Sequence, residues 1–467
     1  MNNQFEKRSD FVVVANRLSV DRVVADDGSE TWRTSPGGLV TALEPVMQSR
    51  RGSAWVGWPG SPDEELEPFV HDGIQLVPVS LSAQDVTEYY EGFSNATLWP
   101  LFHDGVAFPE YHREWWDAYV RVNRRFAEAA AAVAAEGAQV WVQDYQLLLV
   151  PRMLRTLRPD LYIGFFLHIP FPPMELFVQL PWRAEILDGL LGSDLVGFQI
   201  AGGASNFIHL VSERLGYPTG DDTVTLPDGR VCAARAYPIS IPTQRFADLA
   251  ADPAVQERAR EIRAELDDPE LLFLGVDRLD YTKGIKHRLR AFGELVTSGQ
   301  LDPDRAAFLQ VATPSRERVE EYKMLRDEID RIVGRINGSV GRIGRQPVTY
   351  LHTHYPREEM VAMYSAADVM VVSPLRDGMN LVAKEYIACR RNGDGALVLS
   401  EFTGAADELS EWTYSINPYD INGMKATMLR AATDAPEERQ RRMAALREQV
   451  FTHDIDRWAE SFLADMG

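Results

Sequence analysis

The chain has little cysteine, less positive than negative charge and no long apolar run, and each shortage removes a class of protein. Its two cysteines in 467 residues, Cys232 and Cys389, lie far apart with no CxxC and no nearby histidine spacing. That excludes a disulfide scaffold and a thiolate zinc site, and predicts buried thiols in a reducing compartment. No stretch is long and apolar enough to cross a bilayer; the Ala-rich run 127–138 carries Glu128 and Glu136 and predicts a surface helix. The opening MNNQFEKRSD has no hydrophobic signal core, which predicts a cytosolic protein. Lys and Arg total 48 against 69 Asp and Glu, a formal net charge of −21, whose field repels nucleic acid and anionic membranes. Any phosphate ligand must be drawn in by local cations. Nor is there a GxSxG elbow, an HExxH pair or a Walker lysine motif.

What is present reads as a two-domain α/β protein. The length exceeds one ordinary core, and 45% hydrophobic with 25% charged residues is a globular composition. Short β-branched runs predict strands at 11–15, 139–142, 162–167, 194–198 and 235–241, then at 271–276, 307–312, 348–351, 369–373 and 396–399. Helix-length amphipathic segments such as 111–135 separate them, the pattern of two doubly wound parallel sheets. The boundary is set at 240/241, with the IPTQRF segment as linker and the last helix a candidate to cross back to the first domain.

Ligands of such sheets bind beyond the carboxyl ends of the strands. Arg17, Asp144, His168, Arg278, Lys283, Arg316 and Asp377 all fall there, spread over both halves, and predict one interdomain cleft. The stretch 374–386, PLRDGMNLVAKEY, is a turn leading from a strand into a helix. Gly378 lets a ligand approach the backbone, the first N–H groups near Met379, Asn380 and Leu381 suit a phosphate, and Glu385 is placed for a ribose diol. Asp377 either accepts from sugar hydroxyls or only caps the helix. Arg278 and Lys283 share a loop with Gly284 and could grip a diphosphate from the other side, unless they merely pair with Asp277 or Asp280. Arg17 and Arg316 are left for a second anion. Gly37 and Gly38 open a helix in a way that admits a diphosphate, and Trp99 is either core or a sugar platform. No water-activating partner can be named for Asp144 or Asp377, which favours group transfer from a nucleotide-activated donor over hydrolysis.

The ordered set VVVANR, PGGL, FSNATLWPLFH, QDY, GFFLHIPFPP, VDRLDYTKG, RINGSVG, PLRDGMNLVAKEY and LSEFTGAADEL spans nearly the whole chain. It resembles the trehalose-6-phosphate synthase family, retaining glycosyltransferases of family 20. The resemblance implies the GT-B arrangement, two facing Rossmann-like domains, with 1–240 binding the acceptor and 241–467 the nucleotide sugar. It implies that Arg17, Tyr90, Trp99, Asp144 and Arg316 meet glucose 6-phosphate. Gly37, Gly38, Arg278 and Lys283 would meet the donor diphosphate, and His168 and Asp377 the transferred glucose. Backbone at Tyr355, Asn380, Leu381 and Val382 would hold the nucleotide, beside Gly378 and Met379, with Glu385 on its ribose. Asp144, His168, Arg278, Lys283 and Asp377 would carry the chemistry. The acceptor's anomeric hydroxyl would attack from the face the diphosphate leaves, a leaving-group oxygen taking its proton. No metal and no tightly bound cofactor are then required. UDP-, GDP- or ADP-glucose would serve as co-substrate, and a homodimer or homotetramer is expected. One departure is that Gln143 and Gln146 stand where many relatives have histidine, and glutamine does not titrate. Two alternatives remain: a pseudo-glycosyltransferase joining a nucleotide-cyclitol to a sugar or aminocyclitol phosphate, and a non-catalytic sugar-phosphate sensor.

Overall fold

The structure, a computed structural model, describes residues 8–24, 30–35, 38–50, 52–316 and 319–467. The chain divides into two compact units, Met1–Pro238 with Asp456–Gly467, and Ile239–Ile455. In the first unit the strands run β1 Ser9–Arg17, β2 Val20–Val24, β3 Glu30–Thr34, β4 Ala54–Trp58, β5 Phe69–His71, β6 Ile74–Pro78, β7 Ala134–Gln143, β8 Tyr162–Phe166, β9 Leu195–Phe198, β10 Thr223–Thr225 and β11 Val231–Ala236. β2 and β3 form a separate hairpin; the others form a nine-stranded sheet, β10-β11-β9-β8-β7-β1-β4-β6-β5, among the described residues. It is parallel except where edge strands β5 and β10 pair antiparallel. β1 sits in the middle because it is apolar on both faces: Val12, Val13 and Val14 are all 0% exposed. Such continuous apolar runs belong to strands covered by helices on both sides, and burying each valine is worth roughly 1.5–3 kcal/mol.

The second unit holds β12 Leu271–Arg278, β13 Ala306–Thr313, β14 Val348–Leu351, β15 Val369–Val372, β16 Ala396–Ser400 and β17 Tyr414–Ile416. They form one sheet, β14-β13-β12-β15-β16-β17, and every pair is parallel. Numbered along its own chain, that order is the Rossmann order, in which the winding reverses between the first and fourth strands. The body of the first sheet, β6-β4-β1-β7-β8-β9, follows the same rule. The crevices open where the winding reverses, beyond the ends of β1 and β7 in one unit and of β12 and β15 in the other.

Several local expectations change. The run 127–138 is not one surface helix: the Arg113–Val133 helix buries Ala127 and Ala130, and the chain turns into β7 at Ala134. The IPTQRF segment is no loose linker, because the Thr243–Ala251 helix takes most of it and buries Phe246. The strand expected at 235–241 lies earlier, at β11. Both cysteines are free and buried. The Ile455–Met466 helix packs on the first unit, stacking Phe462 on Trp141 at 4.5 Å and setting Trp458 edge-on to Phe166 at 5.1 Å. Among the described residues no helix is long and apolar enough to cross a membrane.

Candidate active site

In the second unit, β12 ends at the exposed Arg278. Asp280 then shapes a tight turn by accepting from the Thr282 amide at 3.0 Å and its hydroxyl at 2.8 Å, and Gly284 closes it in the left-handed region at φ +62°. The Leu375 amide donates to the Thr282 carbonyl at 2.7 Å, tying the turn to the residues just past β15. The result is a short reach: Lys283 Nζ lies 2.6 Å from Asp377 Oδ2, with only 12% and 13% of the two side chains exposed. Asn380 Nδ2 donates to the same oxygen at 3.1 Å.

Asp377 does not cap the following helix. Asn380 does, its Oδ1 accepting the Ala383 amide at 3.1 Å. Asn380, not Gly378, also carries the unusual backbone, at φ +94°, the kind of strain that collects at ligand sites. With the Ala383 amide taken, the N–H groups of Leu381 and Val382 start the helix without an intrahelical acceptor, a natural anion position. Further along the Leu381–Cys389 helix, Glu385 accepts from the Tyr364 hydroxyl at 2.7 Å. Burial raises the Glu385 carboxyl above the ordinary range, against the pull of that hydrogen bond. Tyr355 lies beyond the end of β14, just before the Arg357–Ala366 helix.

The expected salt-bridge partners of the basic turn have other arginines. Asp277 is held by Arg288 at 2.6 Å and Asp280 by Arg316 at 3.2 Å. Burial disfavours the Asp280 anion, yet Arg316, Arg278 and the Thr282 amide bring its carboxyl down to about 2. Arg316 therefore does not stand open for a second anion: its guanidinium is largely buried between Asp280 and the Tyr322 hydroxyl. The reason is that a fully buried carboxylate needs a cation beside it.

In the first unit, Arg17 ends β1 and lies over the Trp58 ring, 5.2 Å from its centroid, with Tyr90 tilted against the same ring at 6.1 Å. A Cβ at Gly60, φ +107°, would overlap the guanidinium, so backbone approaches it there. Its contact with Asp21 at 3.1 Å is exposed at 48% and 43%, and such pairs are weak. The sequence reading missed Trp58 and Gly60, although AWVGWPG does show a strand running into a Pro-Gly turn. Trp99 is buried, with its ring against His103 at 4.1 Å and Tyr145 at 5.6 Å. Gly38 is the first residue of the Gly38–Ser49 helix; Gly37 lies outside the described residues.

Beyond β7, Asp144 takes φ +74°, uncommon for a non-glycine residue. Its Oδ1 accepts the His168 amide at 3.2 Å. The His168 ring meets Gln143 Oε1 through Nε2 at 2.9 Å, so one of the two glutamines noted above is an anchor of this ring. Burial lowers the His168 imidazole to about 3, so it works neutral. Because the unfolded chain binds that proton near 6.5 and the folded one does not, His168 subtracts stability as pH falls from 6.5 towards 3. Histidine NMR should show this ring neutral from pH 5 to 8; a midpoint near 6.5 would mean it is solvated. Among the described residues no group of three or more His, Cys, Asp or Glu side chains could hold a metal.

Two Rossmann-order units, one with a lysine, a carboxylate and a helix start converging beyond its central strands, define an enzyme of the nucleotide-dependent group-transfer class. The chain belongs to glycosyltransferase family 20, whose model matches residues 9–467. It is 58% identical to the trehalose-6-phosphate synthase of Mycolicibacterium gilvum, over 98% of this chain and 93% of that relative. Among solved structures it resembles the UDP-forming α,α-trehalose-phosphate synthase of Burkholderia xenovorans in complex with glucose 6-phosphate, with 33% identity and a TM-score of 0.89 over 98% of this chain and 99% of that one. It also resembles an E. coli structure described as trehalose-6-phosphate bound with UDP-2-fluoro glucose, with 34% identity and a TM-score of 0.88 over 98% of each chain.

Proposed function

We propose that this enzyme moves glucose from a nucleotide-glucose to glucose 6-phosphate with retention, giving α,α-trehalose 6-phosphate and a nucleoside diphosphate. The observation that carries the donor half is the Lys283–Asp377–Asn380 cluster at the start of the Leu381–Cys389 helix. As the glycosidic bond breaks, negative charge grows on the departing diphosphate. Lys283, Arg278 and the Leu381 and Val382 amides meet that charge already in position, which stabilises the transition state more than the bound substrate. Asp377 keeps Lys283 aimed and, with the neutral His168, accepts from or donates to hydroxyls of the transferred glucose. Glu385 takes the ribose diol, and backbone at Tyr355 and Asn380 faces the base. A diphosphate oxygen takes the proton of the attacking anomeric hydroxyl, so no protein nucleophile is used.

Arg17, Tyr90 and Asp144 take glucose 6-phosphate in the first unit, with the phosphate on the Arg17–Trp58 pair. The complexes of the B. xenovorans and E. coli relatives support glucose 6-phosphate and UDP-glucose as the substrate pair. The family resemblance supports a cytosolic homo-oligomer with no tightly bound cofactor. In a panel of UDP-, GDP- and ADP-glucose, nucleoside diphosphate should be released with at least one donor, and only when glucose 6-phosphate is present. Product mass should equal trehalose 6-phosphate. Silence with every donor, or release without the acceptor, would overturn this reading.

A further inference from the structure

Behind the turn that carries Arg278 and Lys283 lies a charge with no route to solvent. Arg288, on the Ile285–Thr297 helix, has 0% of its side chain exposed, and Asp277, next to the end of β12, has 3%. The guanidinium donates through Nη2 to Asp277 Oδ2 at 2.6 Å and through Nε to Gln310 Oε1, on β13, at 2.8 Å. Through Nη1 it reaches Ser373 Oγ, just past β15, at 3.3 Å, and the carbonyl of Lys283 itself at 3.5 Å. Ser373 Oγ donates onward to the Gly284 carbonyl at 3.2 Å. The sheet makes room for this group, since a Cβ at Gly275 would lie 2.6 Å from both Arg288 Nε and Gln310 Oε1.

Stability alone is a poor reason for such a group, because desolvating two ions offsets most of their attraction and an apolar pair of similar volume often does as well. What the partners have in common is where they sit. They are Asp277 near the end of β12, Gln310 within the neighbouring β13, Ser373 just past β15 and the turn after β12; β12 and β15 are the two strands that flank the point where the winding reverses.

We propose that Arg288 is a positioning residue for the donor half of the site. It fixes the Arg278–Lys283 turn against the strand end leading to Asp377 and Asn380, without touching substrate. The inference rests on the donor reading above. Two separate elements, the turn after β12 and the helix start after β15, must meet one diphosphate, and a misplacement of about 1 Å can cost roughly a hundredfold in rate. A planar fork with five donors can hold a carboxylate, an amide oxygen, a hydroxyl and a carbonyl at once. A lysine presents its donors from one atom and cannot span them.

The test compares Arg288→Lys, which keeps the charge and loses the fork, with Arg288→Gln/Asp277→Asn, which loses both charges and strands neither. Each is assayed for urea midpoint, kcat, KM for the active nucleotide-glucose, KM for glucose 6-phosphate, and inhibition by inorganic pyrophosphate. Expected are kcat lower by roughly thirty- to a hundredfold and pyrophosphate inhibition weakened about tenfold, with KM for glucose 6-phosphate within about twofold of wild type. A generally loosened protein would move both KM values together. Folded variants with wild-type kcat and wild-type pyrophosphate inhibition would overturn the proposal. Arg278→Ala and Lys283→Ala run in the same assay separate the two levels. If pyrophosphate still inhibits them normally, the donor reading fails and takes this inference with it. If they lose it while the Arg288 variants keep it, only the inference fails.

Discussion

Arg278→Ala is expected to lower kcat/KM by roughly two to three orders of magnitude, the scale seen when one pre-placed donor to a developing anion is removed. Most of the loss should fall in kcat, because charge on the departing diphosphate grows as the bond breaks, and an interaction that strengthens along that path acts on the barrier. The fold should hardly notice. Arg278 is exposed at the end of β12, and truncating an exposed side chain commonly changes stability by no more than about 0.5 kcal/mol. Lys283→Ala makes the informative comparison. It removes a second cation from the same place, but also takes the ion-pair partner from the mostly buried Asp377, to which Asn380 still donates. Lys283→Ala should therefore lose more stability than Arg278→Ala, as well as rate. Steady-state kinetics beside a urea melt decide it. Turnover near wild type in Arg278→Ala would mean that the diphosphate lies elsewhere.

The layout of both sheets was legible where strands are apolar on both faces. FVVVA and VMVVS cannot be surface strands, and they turned out to flank the two reversals of winding. What failed to show were strands whose signal is weak or mixed. β4 reads AWVGW, with a glycine inside, and β17 reads only YSI; their place is decided by the neighbours they pair with. For the candidate residues only the position was legible: Arg17, Asp144, Arg278, Lys283 and Asp377 do lie at or just past strand ends. The partners of those side chains were not. That Arg316 would be drawn onto Asp280, or that Asn380 instead of Asp377 would cap the helix, depends on side chains from distant parts of the chain or on a backbone dihedral, and spacing encodes neither. Arg288 was invisible for a related reason. Within IKHRLRAF it looks like one more solvated base, and only the packing of β12, β13 and β15 around it shows otherwise.

Lys384→Met is expected to cost about 3–5 kcal/mol, a large share of the roughly 5–15 kcal/mol that holds a typical domain folded. Lys384 sits one position before Glu385, yet one residue along a helix is a rotation of about 100°, and its side chain turns into the unit, 2% exposed. There Nζ donates to Glu408 Oε2 at 2.6 Å and to the carbonyl of Ile239, the first residue of the second unit, at 2.9 Å. Burial lowers the ammonium's pKa, and the Glu408 charge works against that shift. Methionine matches the length and flexibility of the lysine stem, so little of the loss comes from a cavity. The loss comes from a carboxylate left without its cation in a largely dry site. The double variant Lys384→Met/Glu408→Gln leaves no lone charge and should recover most of the loss, since the amide is far cheaper to bury than the anion. The order of urea midpoints, wild type above the double variant and the double variant above Lys384→Met, is the signature of a buried pair. A single variant as stable as wild type would show that Lys384 reaches water instead, and that the Leu381–Cys389 helix is anchored by its apolar face alone.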